Sequence, residues 1–227
     1  MKDSLGDRMK GYENCYKTVL THRSPIIIRL DGKAFHTFTI GMKKPFDQEL
    51  IDNLLIAARE TAFSIQGFKL GYVQSDEISL LLTDYDQIDT QGWFNYELNK
   101  ILSLSASIMT RKFANFYPKR EAYFDSRCFV LPRDEVANYF LWRAKDWARN
   151  SIQMLSQAHF SPKELHGKKS ADMHEMLHTK NINYNDLSSQ LKNGSWIDND
   201  LKVNTTILPN YESISKFVEE NLKTNEV

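Results

Sequence analysis

The stretch FKLGYVQSDEISLLL, residues 68–82, limits the fold more than any other part of the chain. Two apolar, β-prone runs, 68–73 and 78–82, are parted by the polar residues Gln74, Ser75, Asp76 and Glu77. Such a pattern spells a β-hairpin with a polar tip. Upstream, IIIRL (26–30) is a β-branched apolar run closed by Asp31-Gly32, which reads as a buried strand. Between these strands, Leu50, Leu54, Ala58, Ala62 and Ile65 recur at helical spacing, with Asp47 as a cap and Gly67 as a stop. After the hairpin comes a second helical pattern over 93–116, then a strand, AYFDSRCFVL (122–131), ending at Pro132. The order is β-α-β-β-α-β, followed by a third helix over 134–158. This predicts an α+β, ferredoxin-like antiparallel sheet with two helices on one face. Polymerase palms and RNA-recognition modules share that layout, so the fold alone does not settle the function.

Beyond Phe160 the chain turns more polar, with helical stretches expected at 170–178 and 213–222 around a loop, NINYNDL. No internal repeat or low-complexity linker interrupts it. We expect residues 1–158 to form the α+β domain and residues 159–227 a helical C-terminal extension packed on the same unit.

Composition excludes some classes. The 227 residues carry 29 basic and 29 acidic side chains, so bulk positive charge does not drive binding to nucleic acid, although local pairs such as Lys43-Lys44 remain. Cys15 and Cys128 are too few for a disulfide framework or a cysteine zinc site. No apolar run is long enough for a membrane span, and the polar N-terminus does not read as a signal peptide. The expected location is the cytoplasm.

The carboxylates carry the chemistry. In a β-α-β-β-α-β sheet the first and third strands are central neighbours, which places Asp31 and the hairpin-tip residues Asp76 and Glu77 on one edge. Taken alone, Asp31-Gly32 is an ordinary turn and Ser75-Asp76-Glu77 a solvated tip; their shared edge argues for more. Carboxylates held together repel unless a cation lies between them. Oxygen ligands of this kind suit Mg²⁺, and two such ions clamp the attacking and leaving oxygens of a phosphoryl displacement. Gly32 allows a sharp turn that offers its carbonyl to a metal, and the amides of residues 33–36 form a candidate nest for a triphosphate.

IIIRLDGKAFHTF (26–38), Lys44-Pro45, YVQSDEISLLL (72–82), FDSRCFVLP (124–132), YFLWR (139–143) and NINYN (181–185) together resemble the signature blocks of tRNA-His guanylyltransferases, in order and spacing, over residues 24–200. The resemblance implies a polymerase-type palm with two Mg²⁺ ions, adding nucleotides to the 5′ end of tRNA in the 3′-to-5′ direction. It assigns Asp31, the Gly32 carbonyl and Asp76 to the metals, with Glu77 supporting them in catalysis. Lys33, Ala34, Phe35, His36, Lys44, Ser75 and Lys100, with Gly32 and Asp76, would bind the nucleoside triphosphate, GTP and ATP included. It also implies a homotetramer. Two departures stand out. Where the family carries HINNLYN, which recognises the tRNA-His anticodon, this chain reads ARNSIQM (148–154), and Glu97 stands at a basic position. An alanine can neither stack on a base nor hydrogen-bond to it. Both changes resemble the guanylyltransferase-like proteins of bacteria, archaea and phages, which repair truncated tRNAs by templated addition; the alternative is addition of a single G at position −1 of tRNA-His. Trp147, Arg149 and Asn150 remain as RNA-binding candidates.

Two rival readings come from elsewhere in the sequence. His174-Glu175-Met176-Leu177-His178 fits HExxH, the zinc-protease helix motif, but no histidine follows His178 as a third ligand, and coincidence explains it better. A non-enzymatic RNA-binding module needs aromatic rings on its central strands, where ISLLL is aliphatic.

Overall fold

A computed structural model describes residues 4–223. In chain order the helices and strands are α1 (Leu5–Asn14), β1 (Ile26–Gly32), α2 (Phe35–Phe38), α3 (Gln48–Phe63), β2 (Phe68–Gln74), β3 (Glu77–Leu82), α4 (Leu98–Phe116), β4 (Phe124–Val130), α5 (Val136–Gln157), α6 (Pro162–Leu165), α7 (Ser170–Thr179), α8 (Ser189–Asn193), β5 (Ser195–Ile197), β6 (Val203–Asn204) and α9 (Tyr211–Leu222). The strands form one antiparallel sheet in the order β4-β1-β3-β2-β5-β6. It is a mixed fold of helices on an antiparallel sheet, and β1 and β3 are central neighbours.

The apolar strands follow from burial on both faces. Ile26, Ile28 and Leu30 of β1 join a core with α3 and α4, whereas Ile27 joins a second core with α5 and α9. A strand covered on both sides has no need of polar alternation. The two helices expected on one face are α3 and α4, and α5 with α9 cover the other. The second face changes character along β1, from Ile27 to Arg29 to Asp31, and its last two positions are only partly covered.

The C-terminal stretch is not helical alone. Its β5 and β6 extend the sheet beyond β2, with Tyr72 opposite Trp196, and α9 covers the second face through Ile214, Val218 and Leu222. Strands of three and two residues carry too little pattern to be read from sequence. The helix expected over 93–116 is interrupted: Phe94, Asn95 and Tyr96 have positive φ in a 3-10 turn, and α4 starts at Leu98. The hairpin tip is tighter than expected, since Gln74 pairs with Glu77 and only Ser75 and Asp76 turn, with Ser75 at φ 50°. Asp47 caps α3 as expected, its carboxylate accepting from the Leu50 amide at 3.1 Å. The N-terminal helix α1 buries none of its side chains. No helix among the described residues is long and apolar enough to cross a membrane.

Candidate active site

Two turns meet at one sheet edge. β1 ends in Asp31-Gly32, β2 and β3 end in Ser75-Asp76, and the Gly32 amide donates to the Asp76 carbonyl at 3.2 Å. Asp31 also lies directly opposite Glu77 in the ladder. Gly32 is demanded by packing, because a Cβ there would lie 2.1 Å from the Phe35 ring, which is buried against Phe38, Phe113 and Phe124.

Negative charge is concentrated at this edge. Burial pushes the Asp76 carboxyl up to about 6, and the negative charge of Asp31 adds to it. Asp76 has no ion pair among the described residues, while Asp31 has only Arg127, at 3.7 Å. Glu77 is also raised, mainly by burial, but it is held: Arg143 Nε lies 2.7 Å from Glu77 Oε1, and Gln74 Nε2 donates to the same oxygen at 3.0 Å. Arg143 is itself buried and also donates to Asp146 at 2.7 Å. Glu77 thus has its counter-charge, whereas Asp31 and Asp76 share a deficit of positive charge. No group of three or more His, Cys, Asp or Glu converges as a metal site among the described residues. Two carboxylates with neighbouring backbone oxygens are nevertheless the number and hardness of donors that Mg²⁺ takes from protein.

Two hollows adjoin this edge. The larger, about 580 Å³, is lined by Gly32, Ala34, Phe35, His36, Lys44, Ser75 and Asp76, with Leu50, Ile51 and Leu54 of α3 and Trp147, Met154 and Gln157 of α5. Its size suits a nucleotide-scale ligand. The smaller, about 330 Å³, is lined by Asp31, Glu77, Arg143, Asp146, Asn150 and Gln153, and shares Ser75, Asp76, Trp147, Met154 and Gln157 with the first. The carboxylates stand where the two meet.

Several expected site residues fall elsewhere. Lys33 does not line either hollow, and its amide is taken by the Tyr123 carbonyl at 2.8 Å, so it leaves the expected nest. The amides of Phe35 and His36, at the start of α2, have no intrahelical partner and remain free for it. Lys100 lines neither hollow. It is exposed in the first turn of α4 and pairs with Glu97 at 3.1 Å. Phe113, which contacts Phe35 beside the site, lies thirteen residues further along α4, about 20 Å at the rise of a helix. Trp147 is buried and reaches both hollows, its Nε1 without a hydrogen-bond partner. Asn150 donates to Asp146 at 3.2 Å, and Arg149 is exposed and bound to the same carboxylate.

Sequence reasoning missed Arg143, Asp146, Met154 and Gln157. Their signal was present: Arg143, Trp147, Asn150, Met154 and Gln157 alternate by four and three along α5, which puts them on one face. The HExxH residues, by contrast, lie on α7 with no third ligand among the described residues, and His174 packs edge-on against Tyr184.

The family model described as Thg1, tRNAHis guanylyltransferase, matches residues 6–132. A bacterial tRNA(His) guanylyltransferase (Thg1)-like protein solved in complex with ATP is 45% identical, with a TM-score of 0.92 over 96% of this chain and 100% of that one. A bacterial protein of the same description in complex with GTP gives 43% identity and a TM-score of 0.84, over 96% and 98% of the two chains. Among curated relatives, the tRNA(His) guanylyltransferase of Kluyveromyces lactis is 30% identical over 198 residues, covering 76% of this chain and 81% of that protein.

Proposed function

Because this chain belongs to the tRNA(His) guanylyltransferase family, a family of nucleotidyltransferases, we propose that it extends the 5′ end of tRNA in the 3′-to-5′ direction, choosing each nucleotide by pairing with the opposite strand. The observation that carries the reading is the juxtaposition of Asp31 and Asp76 at the boundary of two hollows, tied by the Gly32 amide. One hollow is sized for the incoming nucleoside triphosphate, the other for the RNA end. The strand order β4-β1-β3-β2 makes β1 and β3 central neighbours, which is consistent with the ferredoxin-like layout that polymerase palms share.

Asp31 and Asp76, with the Gly32 carbonyl, would hold Mg²⁺, which supplies charge neutralisation at the attacking and leaving oxygens. In the transfer the 3′-hydroxyl of the incoming nucleotide attacks the activated 5′ phosphorus of the RNA, releasing pyrophosphate or AMP and a proton. Phe35 and His36 present backbone amides to phosphate oxygens, and Lys44 adds a cation at the cleft wall. Arg143 neutralises Glu77, so that Glu77 supports the edge without adding uncompensated charge to it. Leu50, Ile51, Leu54 and Met154 form an apolar wall for the base.

Templated repair is favoured over addition of a single guanosine by α5. Ala148, where the family places its recognition histidine, is exposed and brings no polar group to the surface. Assembly as a homotetramer fits α1, whose Leu5, Met9 and Tyr12 are all exposed. Extension of a tRNA lacking its first nucleotide, in Mg²⁺, tests the reading. The wild-type chain should lengthen the RNA and the Asp31→Asn and Asp76→Asn variants should not; full activity in either variant contradicts it.

A further inference from the structure

The margin of the sheet beside the carboxylates carries a charge pattern that the fold does not require. In the β1–β4 ladder Arg29 lies directly opposite Arg127, and two residues further on Asp31 lies opposite Asp125. Like charges in direct cross-strand register destabilise a sheet. Neither arginine is fully engaged. Arg29 Nε is buried without a hydrogen-bond partner, and the nearest carboxylates to Arg127 stand 3.7 and 3.9 Å away, beyond the 2.7–2.9 Å of a charge-assisted bond. Arg143 nearby also has an Nε without an aligned hydrogen bond, but it has carboxylates at 2.7 Å on both sides, and no carboxylate stands that close to Arg29 or Arg127 among the described residues. Beside Arg29 sits Trp142, 54% exposed, its ring 5.8 Å from the Arg29 guanidinium and 4.2 Å from that of Arg143. A tryptophan serving only the core would be covered.

We propose that Arg29, Arg127 and Trp142 form the seat of the acceptor RNA end: the two guanidinium groups take a backbone phosphate and the Trp142 ring stacks on the adjoining base. The inference rests on the reading of the site as one that extends RNA. An anion between the arginines removes their repulsion, and Arg forks match phosphate oxygens. The seat lies two residues along β1 from Asp31, about 7 Å, so an RNA strand held there has its end at the carboxylates. β4 is the edge strand of the sheet, which leaves an approach for the strand. Single-stranded nucleic acid is held elsewhere by this pairing of cations with an aromatic platform.

The test measures binding of a tRNA lacking its first nucleotide, with and without a 5′-phosphate, separately from its extension. Trp142→Ala should weaken RNA binding and raise the KM for RNA about tenfold while the Kd for ATP is unchanged; Trp142→Phe should recover most of the loss. Arg127→Ala should lower the slope of log K against log salt by about 0.7, one phosphate contact. Unchanged RNA affinity and salt slope in both alanine variants, or a change confined to ATP binding, overturns the seat. Trp142 and Arg127 are exposed, and a thermal melt checks that each variant folds. Should the wild-type chain extend no RNA at all, the nucleotidyl-transfer reading fails, and the binding measurements still decide the seat by themselves.

Discussion

The Gly32 amide donates to the Asp76 carbonyl at 3.2 Å, joining the end of β1 to the β2–β3 turn. This bond continues the β1–β3 ladder, which brings the two acidic turns together, by one residue beyond Asp31 and Glu77. Gly32→Ala should break the arrangement, because the added Cβ would meet the Phe35 ring and that ring is confined by three others. Overpacking of this kind costs about 1–3 kcal/mol. A lower Tm together with loss of ATP binding is expected; an unchanged Tm contradicts the packing argument.

Asp76 sets a pH dependence. Its carboxyl is raised from 3.8 to about 6 by burial and by the charge of Asp31. The folded chain therefore holds this proton more tightly than the unfolded chain. The group favours folding below about pH 4, and that stabilisation is lost as pH rises through about 6. Asp76→Asn should be more stable than the wild type at pH 7 in the absence of Mg²⁺, on the order of 1–2 kcal/mol. Mg²⁺ should raise the Tm of the wild type and not of the variant. Urea unfolding at pH 4 and pH 7 measures both effects; a variant less stable than the wild type at pH 7 contradicts the assignment.

Arg143 serves two carboxylates from a buried position, Glu77 and Asp146. Arg143→Met leaves Glu77 without its ion-pair partner and Asp146 with only the exposed Arg149, and should cost about 3 kcal/mol, since breaking one partner of a buried pair strands the other. Glu77→Gln keeps the hydrogen bonding and should cost less. Chemical denaturation of the two variants gives the order; the reverse order would show that Arg143 is not the counter-charge.

His174 and His178 should prove dispensable. His174→Ala and His178→Ala are expected to retain nucleotide addition, and the purified chain should carry no stoichiometric zinc. Elemental analysis with one zinc per chain would overturn this.

Much of the site was legible because it is local. Asp31-Gly32 and Ser75-Asp76 are two-residue turns at the ends of apolar strands, and strand order alone brings them together. What escaped was set by packing between distant elements. That α5 lies across the second face with Arg143 and Trp147 at the carboxylates follows from its docking against Ile27, Tyr72 and Leu81, which no periodicity states. That Lys100 lines neither hollow was not legible for the same reason: the resemblance supplies a residue type and position but not the run of α4, about 20 Å, between it and Phe113. β5 escaped because three residues hold too little pattern, although Tyr72 and Trp196 meet there at 4.5 Å.

The central claim is templated addition, and one gel tests it most directly. A tRNA lacking its first nucleotide is incubated with Mg²⁺ and each nucleoside triphosphate in turn, and the base facing the gap is then changed. The account predicts that only the complementary nucleotide is added, that the preferred nucleotide changes with the opposing base, and that tRNAs other than tRNA-His serve. Addition of GTP alone, to tRNA-His alone and whatever the opposing base, would contradict it.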